Sequence, residues 1–171
     1  RAELTKGSYK AQRDHKNLEN LYAQIEIIEN ILPTLGIKNI YPNIMEGDDA
    51  IAYLAHNLVG QNVIISVDQD LIQLITPTTS FYDLNKKNII DVNNFYKEIG
   101  IHLQDFVVYK AILGDKSDNI PGIPGYGKIK AKKLAEKWDI EKQNLVPEQV
   151  LLVENNLKLM DLTKGYSHYA A

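Results

Sequence analysis

The sequence predicts an α/β fold, with a mostly parallel central sheet flanked by helices and a helical C-terminal part. Three observations carry this expectation. The run "NVIISV" (62–67) is continuously apolar and β-branched, as in a strand buried on both faces of a parallel sheet. Leu18, Leu21, Tyr22, Ile25, Ile28 and Leu32 recur at spacings of three and four, the period of an amphipathic helix. Strand-like and helix-like segments alternate along the chain before helices take over.

Taken in order, residues 1–16 carry Arg1, Lys6, Lys10, Arg13 and Lys16 against Glu3 and Asp14 and read as an exposed basic segment. The amphipathic helix follows and stops before Gly36. "IKNIYPN" (37–43) reads as a short strand. Residues 47–58 read as a helix with Ala50, Ile51, Leu54 and Leu58 on its apolar face. After the "NVIISV" strand, "LIQLI" (71–75) reads as a short helix. "SFYDL" and "NIIDV" read as strands or a hairpin, and Asp91 as a cap on the helix "NNFYKEIG". The apolar helix "FVVYKAIL" then leads into "GDKSDNIPGIPGYGK" (114–128), a Gly/Pro-rich interruption too short to separate two domains.

At 171 residues, with 44% hydrophobic and 24% charged residues, the chain fits one soluble domain with a real core. No apolar run of about 18 residues predicts a membrane span, and no secretory leader is expected. The absence of cysteine excludes disulfides and thiolate-bound zinc and suits a reducing compartment. The net charge of −3 does not announce a nucleic-acid binder, so the distribution of charge carries the information. The chain begins at Arg1 in a polar, basic stretch, from which a fragment or a missing beginning is expected.

Seven carboxylates fall into three clusters. Glu46, Asp48 and Asp49 precede an apolar run. Such acids can favour a helix N-terminus or offer oxygen ligands to a hard cation. Glu46 and Asp49 lie one turn apart and can face a metal together, with Asp48 elsewhere on the turn. Asp68 and Asp70 follow the buried strand, share one side of an extended segment, and sit where open α/β sheets bind ligands; capping the next helix is the alternative. Asp115 and Asp118, at i and i+3, fall on one face of a helical turn, with plain turn chemistry as the alternative.

Gathered unpaired, these groups would repel one another, and one or two divalent cations would resolve that. Two metals about 4 Å apart serve phosphodiester hydrolysis. With no His or Cys in the clusters, Mg²⁺ or Mn²⁺ is expected rather than Zn²⁺. The ligands do not follow the alternating pattern of a calcium loop.

In "NIPGIPGYGKIKAKKLAEKW" (119–138), Gly122, Gly125 and Gly127 punctuate a tight turn before a lysine-rich helix. Glycine permits close approach of backbone to a ligand, and a helix N-terminus favours phosphate. Lys128, Lys130, Lys132 and Lys133 supply phosphate-directed charge without reading sequence. The stretch resembles a helix-hairpin-helix motif. It is not a nucleotide P-loop, whose G-x-x-x-x-G-K-[ST] spacing is absent. A solvated lysine face after an ordinary turn is the alternative.

With these motifs in place, the chain resembles the 5′-nuclease superfamily: flap endonucleases and the 5′-3′ exonuclease domain of bacterial DNA polymerase I, with the bacteriophage form most similar. The family's E-A-D-D matches "EGDD" (46–49), with Gly47 in place of Ala. S-x-D-x-D-x-x-x-L matches "SVDQDLIQL". G-D-x-x-D-N-I-x-G-x-x-G-x-G matches "GDKSDNIPGIPGYG". The arch signature Y-K-x-x-R matches "YKAQR" (9–13), although "TKGSYK" departs from the usual P-E-Y-K.

The resemblance implies a PIN-like core with four regions: an arch segment at 1–16, the metal-binding α/β core at 17–113, the helix-hairpin-helix at 114–138 and a C-terminal helical segment at 139–171. It implies that Glu46, Asp48 and Asp49 belong to a first metal site, that Asp68 and Asp70 lie between two sites, and that Asp115 and Asp118 help form the second. Lys10 and Arg13 would approach the scissile phosphate. The hairpin at 122–128 would hold duplex DNA, with a bound K⁺ as in relatives. Family members begin with a strand bearing an Asp ligand, and a further Asp precedes the arch; both would fall before Arg1. The implied function is Mg²⁺-dependent hydrolysis of 5′-flap, nicked or 5′-ended DNA, or RNA primers, in replication or repair. The protein is expected to be monomeric and cytoplasmic in a bacterial cell, from a host or phage gene, with replication proteins as further partners. The alternative is a DNA-binding module without catalysis.

Overall fold

The computed structural model describes residues 19–42 and 45–163. Its helices and strands follow the chain as α1 (Glu19–Ile31), α2 (Gly47–Asn57), β1 (Asn62–Ser66), β2 (Thr79–Asp83), β3 (Asn88–Ile90), α3 (Phe95–Ile99), α4 (Leu103–Leu113), α5 (Lys128–Ala135), α6 (Trp138–Glu141) and α7 (Pro147–Met160). Short 3₁₀ turns occupy Leu32–Leu35, Gln69–Leu74 and Lys142–Asn144.

The α/β class holds, but the sheet is mixed rather than mostly parallel. Among the described residues it has the order β1-β2-β3. β1 and β2 run parallel, with Ile64 opposite Phe81. β2 and β3 form the expected hairpin, with Phe81 opposite Ile90. The β1 strand is not buried on both faces: Ile64 is buried, whereas Val63 and Ile65 are 54% and 63% exposed. Among the described residues β1 pairs with β2 alone, and the period-2 pleat turns alternate side chains outward.

The expected strand at 37–43 is not formed over Ile37–Pro42. An apolar stretch becomes a strand only when a neighbour takes up its hydrogen bonds, and no described strand lies beside it. The helix before it does stop where predicted. The 3₁₀ turn Leu32–Leu35 ends at Gly36, whose φ of 76° requires the left-handed region. The α1 stripe remains exposed, with Leu21, Tyr22 and Ile28 each about half or more accessible. In α2 the core contact is made by Ala52 with Ile51 and Ala55 beside it, so of the expected stripe Ala50, Ile51, Leu54 and Leu58 only Ile51 packs on the core cluster.

The core sits between the sheet and the helices that follow it. Phe81, Ile90, Phe95, Leu71, Ile72 and Ile112 are all buried there. Phe95 of α3 meets Phe106 of α4 edge-on, with centroids 5.8 Å apart and planes at 87°. Each such ring contributes about 1.5–3 kcal/mol by burial. Asp91 is not the cap of α3, whose N-cap is Asn94; it closes the turn before it, its Oδ1 accepting the N–H groups of Asn93 at 2.8 Å and Asn94 at 3.0 Å. Among the described residues no helix is long and apolar enough to cross a membrane.

Candidate functional site

A cleft of about 520 Å³ opens beside the C-terminal end of β1. Glu46, Asp48, Asp68, Asp70 and Asp118 line it, together with Ser66 and apolar residues of α7 and its C-terminal exit. Three sequence clusters that are far apart in the chain therefore share one wall-to-wall space. Each cluster arrives by a different device.

The first cluster starts α2. Glu46 is the extended N-cap residue, and the Asp49 carboxylate accepts the Glu46 N–H at 3.3 Å, closing a capping box. The helix-start reading is therefore realised, and it does not keep Glu46 out of the cleft. Glu46 and Asp49 share the capping box, and Glu46 and Asp48 line the cleft. This reverses the expected division, in which Asp49 faces the site and Asp48 turns elsewhere.

The second cluster ends β1. Ser66 Oγ accepts the Asp68 N–H at 3.0 Å, and Asp68 Oδ1 accepts the Asp70 N–H at 2.9 Å. Asp68 is thus the cap of the 3₁₀ turn that carries Asp70. Gln73 anchors this turn to α7. Its Nε2 donates to the Asp70 carbonyl at 2.8 Å and to the Met160 carbonyl at 3.0 Å, and its Oε1 accepts the Leu162 N–H at 2.9 Å.

The third cluster lies on a loop folded against the end of α4. Asp115 and Ile120 exchange backbone hydrogen bonds of 2.8 and 2.7 Å, and Asn119 takes a φ of 59°. A side chain with a short polar amide tolerates that conformation. Asp115 accepts from both the backbone N–H and the hydroxyl of Ser117. Asp118 lines the cleft and Asp115 does not, so the i, i+3 pair does not share that face.

Lys110, on α4, links the second and third clusters. Its Nζ lies 2.8 Å from Asp70 Oδ1 and 3.5 Å from Asp115 Oδ2, with about a fifth of its side chain exposed. Burial raises the Asp70 pKa, and the Asp68 and Asp115 carboxylates push it the same way; Lys110 opposes them without prevailing. Burial alone would lower the Lys110 pKa, but the two carboxylates beside it outweigh burial and raise it. Burial also acts upward on Asp115, yet the Ser117 hydroxyl and N–H, Lys110 and the Asp118 N–H bring it below the usual range. One ammonium is shared among more carboxylates than it can neutralise. The cleft lining holds oxygen donors without His or Cys, a set that fits a hard divalent cation. Among the described residues no three acidic or histidine side chains stand in a ready ligand arrangement.

Beyond this loop the chain turns through "PGIPGYG" into α5. Gly114 and Gly122 pack back to back against the end of α4. A Cβ on Gly114 would lie 2.3 Å from Gly122 N, and one on Gly122 would lie 2.1 Å from Leu113 O. Gly125 has a φ of 82°, and Gly127 is the N-cap of α5. No acid stands in the first turn of α5, so its N-terminus keeps its positive end. Ala131, Leu134 and Ala135 face the core. Lys128, Lys130 and Lys133 are exposed, but the four lysines do not form one face. Lys132 turns toward α3, with its Nζ 5.2 Å from the Tyr96 ring centroid and 4.0 Å from Glu136. Lys10 and Arg13 lie outside the described residues.

The sequence reading passed over Lys110, Gln73 and Asn156. Lys110 did carry a signal, as the one cation within the apolar "FVVYKAIL". Gln73 and Asn156 carried none, because each acts across a long sequence separation.

The family model described as "5'-3' exonuclease, N-terminal resolvase-like domain" matches residues 1–100. The chain is 38% identical over 121 residues to a 5'-3' exonuclease of Buchnera aphidicola subsp. Schizaphis graminum (strain Sg), covering 69% of this chain and 42% of that protein. It is 32% identical over 151 residues to the 5'-3' exonuclease of Bacillus subtilis (strain 168), covering 82% and 51%. It is 36% identical over 126 residues to DNA polymerase I of Treponema pallidum (strain Nichols), covering 70% and 12%. The chain thus spans about half or less of these relatives. Among solved structures, a bacteriophage T5 5'-exonuclease with bound zinc superposes with a TM-score of 0.77 at 23% identity, over 96% of this chain and 70% of that one. A bacteriophage T5 flap endonuclease in a pseudo-enzyme-product complex with DNA and metal ions gives 0.76 at 24%, over the same shares. At these identities the likeness establishes the fold.

Proposed function

Because the chain belongs to the 5'-3' exonuclease family through its N-terminal resolvase-like domain, we propose that it is a divalent-metal-dependent, structure-selective 5′-nuclease. Its substrates are 5′-flap, nicked or 5′-ended DNA, with RNA primers as a further class, in replication or repair. The observation that carries this reading is the convergence of Glu46, Asp48, Asp68, Asp70 and Asp118 on one cleft. A plain α/β domain with acidic helix caps has no reason to bring three separate acidic clusters together, since their mutual repulsion costs stability.

In this reading Glu46 and Asp48 hold a first cation, Asp118 with Asp115 a second, and Asp68 and Asp70 lie between. Mg²⁺ or Mn²⁺ fits the oxygen donors, and this reading assigns two ions. When bound, such cations supply Lewis acidity and a lowered pKa for water. The chain's residues do the rest. The carboxylates would orient the cations, and Ile51, Leu71 and Leu159 add apolar surface to the cleft wall. Lys10 and Arg13 approach the scissile phosphate and stabilise its growing charge. Gly122, Gly125 and Gly127 with Lys128, Lys130, Lys132 and Lys133 form the helix-hairpin-helix grip on phosphates, with K⁺ at the hairpin. Support for the grip comes from the order α4, glycine turn, α5 and from the exposed lysines. The protein acts as a monomer in the bacterial cytoplasm, alongside replication proteins.

A second reading, a DNA-binding module without catalysis, draws on one observation: among the described residues no three acidic side chains are already set as ligands. Cleavage of a labelled 5′-flap duplex with Mg²⁺ and with EDTA separates the two. Metal-dependent product supports the nuclease. Salt-sensitive binding with no product supports the module.

A further inference from the structure

We infer that Lys110 is a built-in cation of the acidic cleft, holding Asp70 and Asp115 together until a divalent ion takes its place. The inference rests on the metal-dependent reading above. Its basis is geometric. The Lys110 ammonium is the only basic group with a described ion pair to either carboxylate, at 2.8 Å from Asp70 Oδ1 and 3.5 Å from Asp115 Oδ2. It reaches them from α4, a helix fixed by Phe106, Ala111 and Ile112 in the core. Asp70 and Asp115 are fixed in turn by Gln73 and by the Asp115–Ile120 hydrogen bonds. The backbones that carry both carboxylates are therefore held in place, Ser117 also holds the Asp115 carboxylate, and the longest flexible partner is the four-carbon lysine stem.

A lysine in this position does two things. It relieves carboxylate repulsion in the protein without metal. It also competes with any ion that uses Asp70, because the oxygen it holds must be released first. Metal binding is then an exchange of one cation for another, and its affinity is set partly by the lysine.

The test uses calorimetric titration of Mn²⁺ alone into the intact protein and into Lys110→Met and Lys110→Arg, without nucleic acid. Lys110→Met keeps the apolar stem and removes the competitor. It should bind Mn²⁺ at least about fivefold more tightly, within the usual range of site coupling. Lys110→Arg should bind no more tightly than the unaltered protein. Without metal, Lys110→Met should melt at a lower temperature, and saturating Mn²⁺ should narrow the gap. Unchanged or weaker Mn²⁺ binding by a folded Lys110→Met overturns the inference and leaves the metal reading standing. No Mn²⁺ binding by any of the three proteins overturns the metal reading, and the inference with it. If Lys110→Met does not fold, the Lys110 Cε–H resonance of the unaltered protein decides. It should shift on addition of Mg²⁺, and an unmoved resonance at saturation overturns the exchange.

Discussion

Asn156 on α7 donates to the Pro121 carbonyl at 2.7 Å, and the same amide nitrogen donates to the Ala111 carbonyl at 2.8 Å. One buried side chain thus ties the end of α4 to the segment that leaves the Asp115–Asp118 loop. Asn156 is 2% exposed, so its removal leaves two carbonyls without this donor in the interior. Asn156→Ala should destabilise the protein by about 1–3 kcal/mol, the cost of a buried polar group left without its partner. Asn156→Asp should cost at least as much at neutral pH, because an ionised carboxylate cannot donate to either carbonyl. Urea unfolding of the two variants checks this; wild-type stability in Asn156→Ala contradicts it.

Gly122 and Gly125 should respond very differently to the same substitution. A Cβ on Gly122 meets the Leu113 carbonyl oxygen at 2.1 Å, where only backbone movement makes room. Gly122→Ala should therefore cost about 3 kcal/mol or more and displace the acidic loop. Gly125 has open space around its Cβ position and a φ of 82°, so Gly125→Ala should cost only the left-handed strain of about 1–2 kcal/mol. Thermal melts rank the two, and equal losses would count against the tight packing at Gly122.

Asp83 gives a pH-dependent contribution of known sign. The Lys86 N–H first, then Gln69 and the Asn85 N–H, lower its pKa against the opposing effect of burial. In the unfolded chain it titrates near the ordinary value of about 3.9. Its stabilisation is therefore complete above that value and is lost as pH falls through the lower folded pKa. Asp83→Asn removes this titration, whereas Asp91, also lowered by backbone N–H groups, titrates in both proteins. The difference in melting temperature between wild type and Asp83→Asn should narrow on acidification through this range. A constant difference would show that Asp83 is not held ionised by the turn.

Cleavage and binding should separate by residue. Asp118 lines the cleft, and Asp118→Ala should reduce cleavage far more than binding. Lys130 and Lys133 are exposed and lie one turn apart on α5. Charge reversal at either should weaken binding to all sequences alike and reduce the salt slope by about one. Lys132→Glu is a less clean test, because it also disrupts the packing on Tyr96 and brings like charge beside Glu136. Fluorescence anisotropy across salt concentrations checks the lysines; a sequence-dependent loss at Lys130 or Lys133 contradicts a phosphate grip.

What the sequence disclosed follows the range of the forces involved. The Gly36 stop and the β2–β3 hairpin depend on neighbours a few residues away, and both were legible. The acidic clusters were legible as chemistry, since crowded carboxylates need an explanation wherever they fold. Which carboxylate caps and which faces the cleft at 46–49 was not, because both choices satisfy the same helix start. The strand at 37–43 and the two-sided burial of 62–67 misled, since pairing and burial depend on partners that no local pattern specifies. Gln73 and Asn156 were invisible for the same reason: their partners lie 87 and 45 residues away.

The most direct test of the central claim is the cleavage of an end-labelled 5′-flap duplex by the intact protein, with Mg²⁺ and again with excess EDTA. The account predicts product at or near the flap junction with Mg²⁺, none with EDTA, and little from Asp118→Ala at full substrate binding. Absence of metal-dependent product, with the duplex still bound, would contradict it.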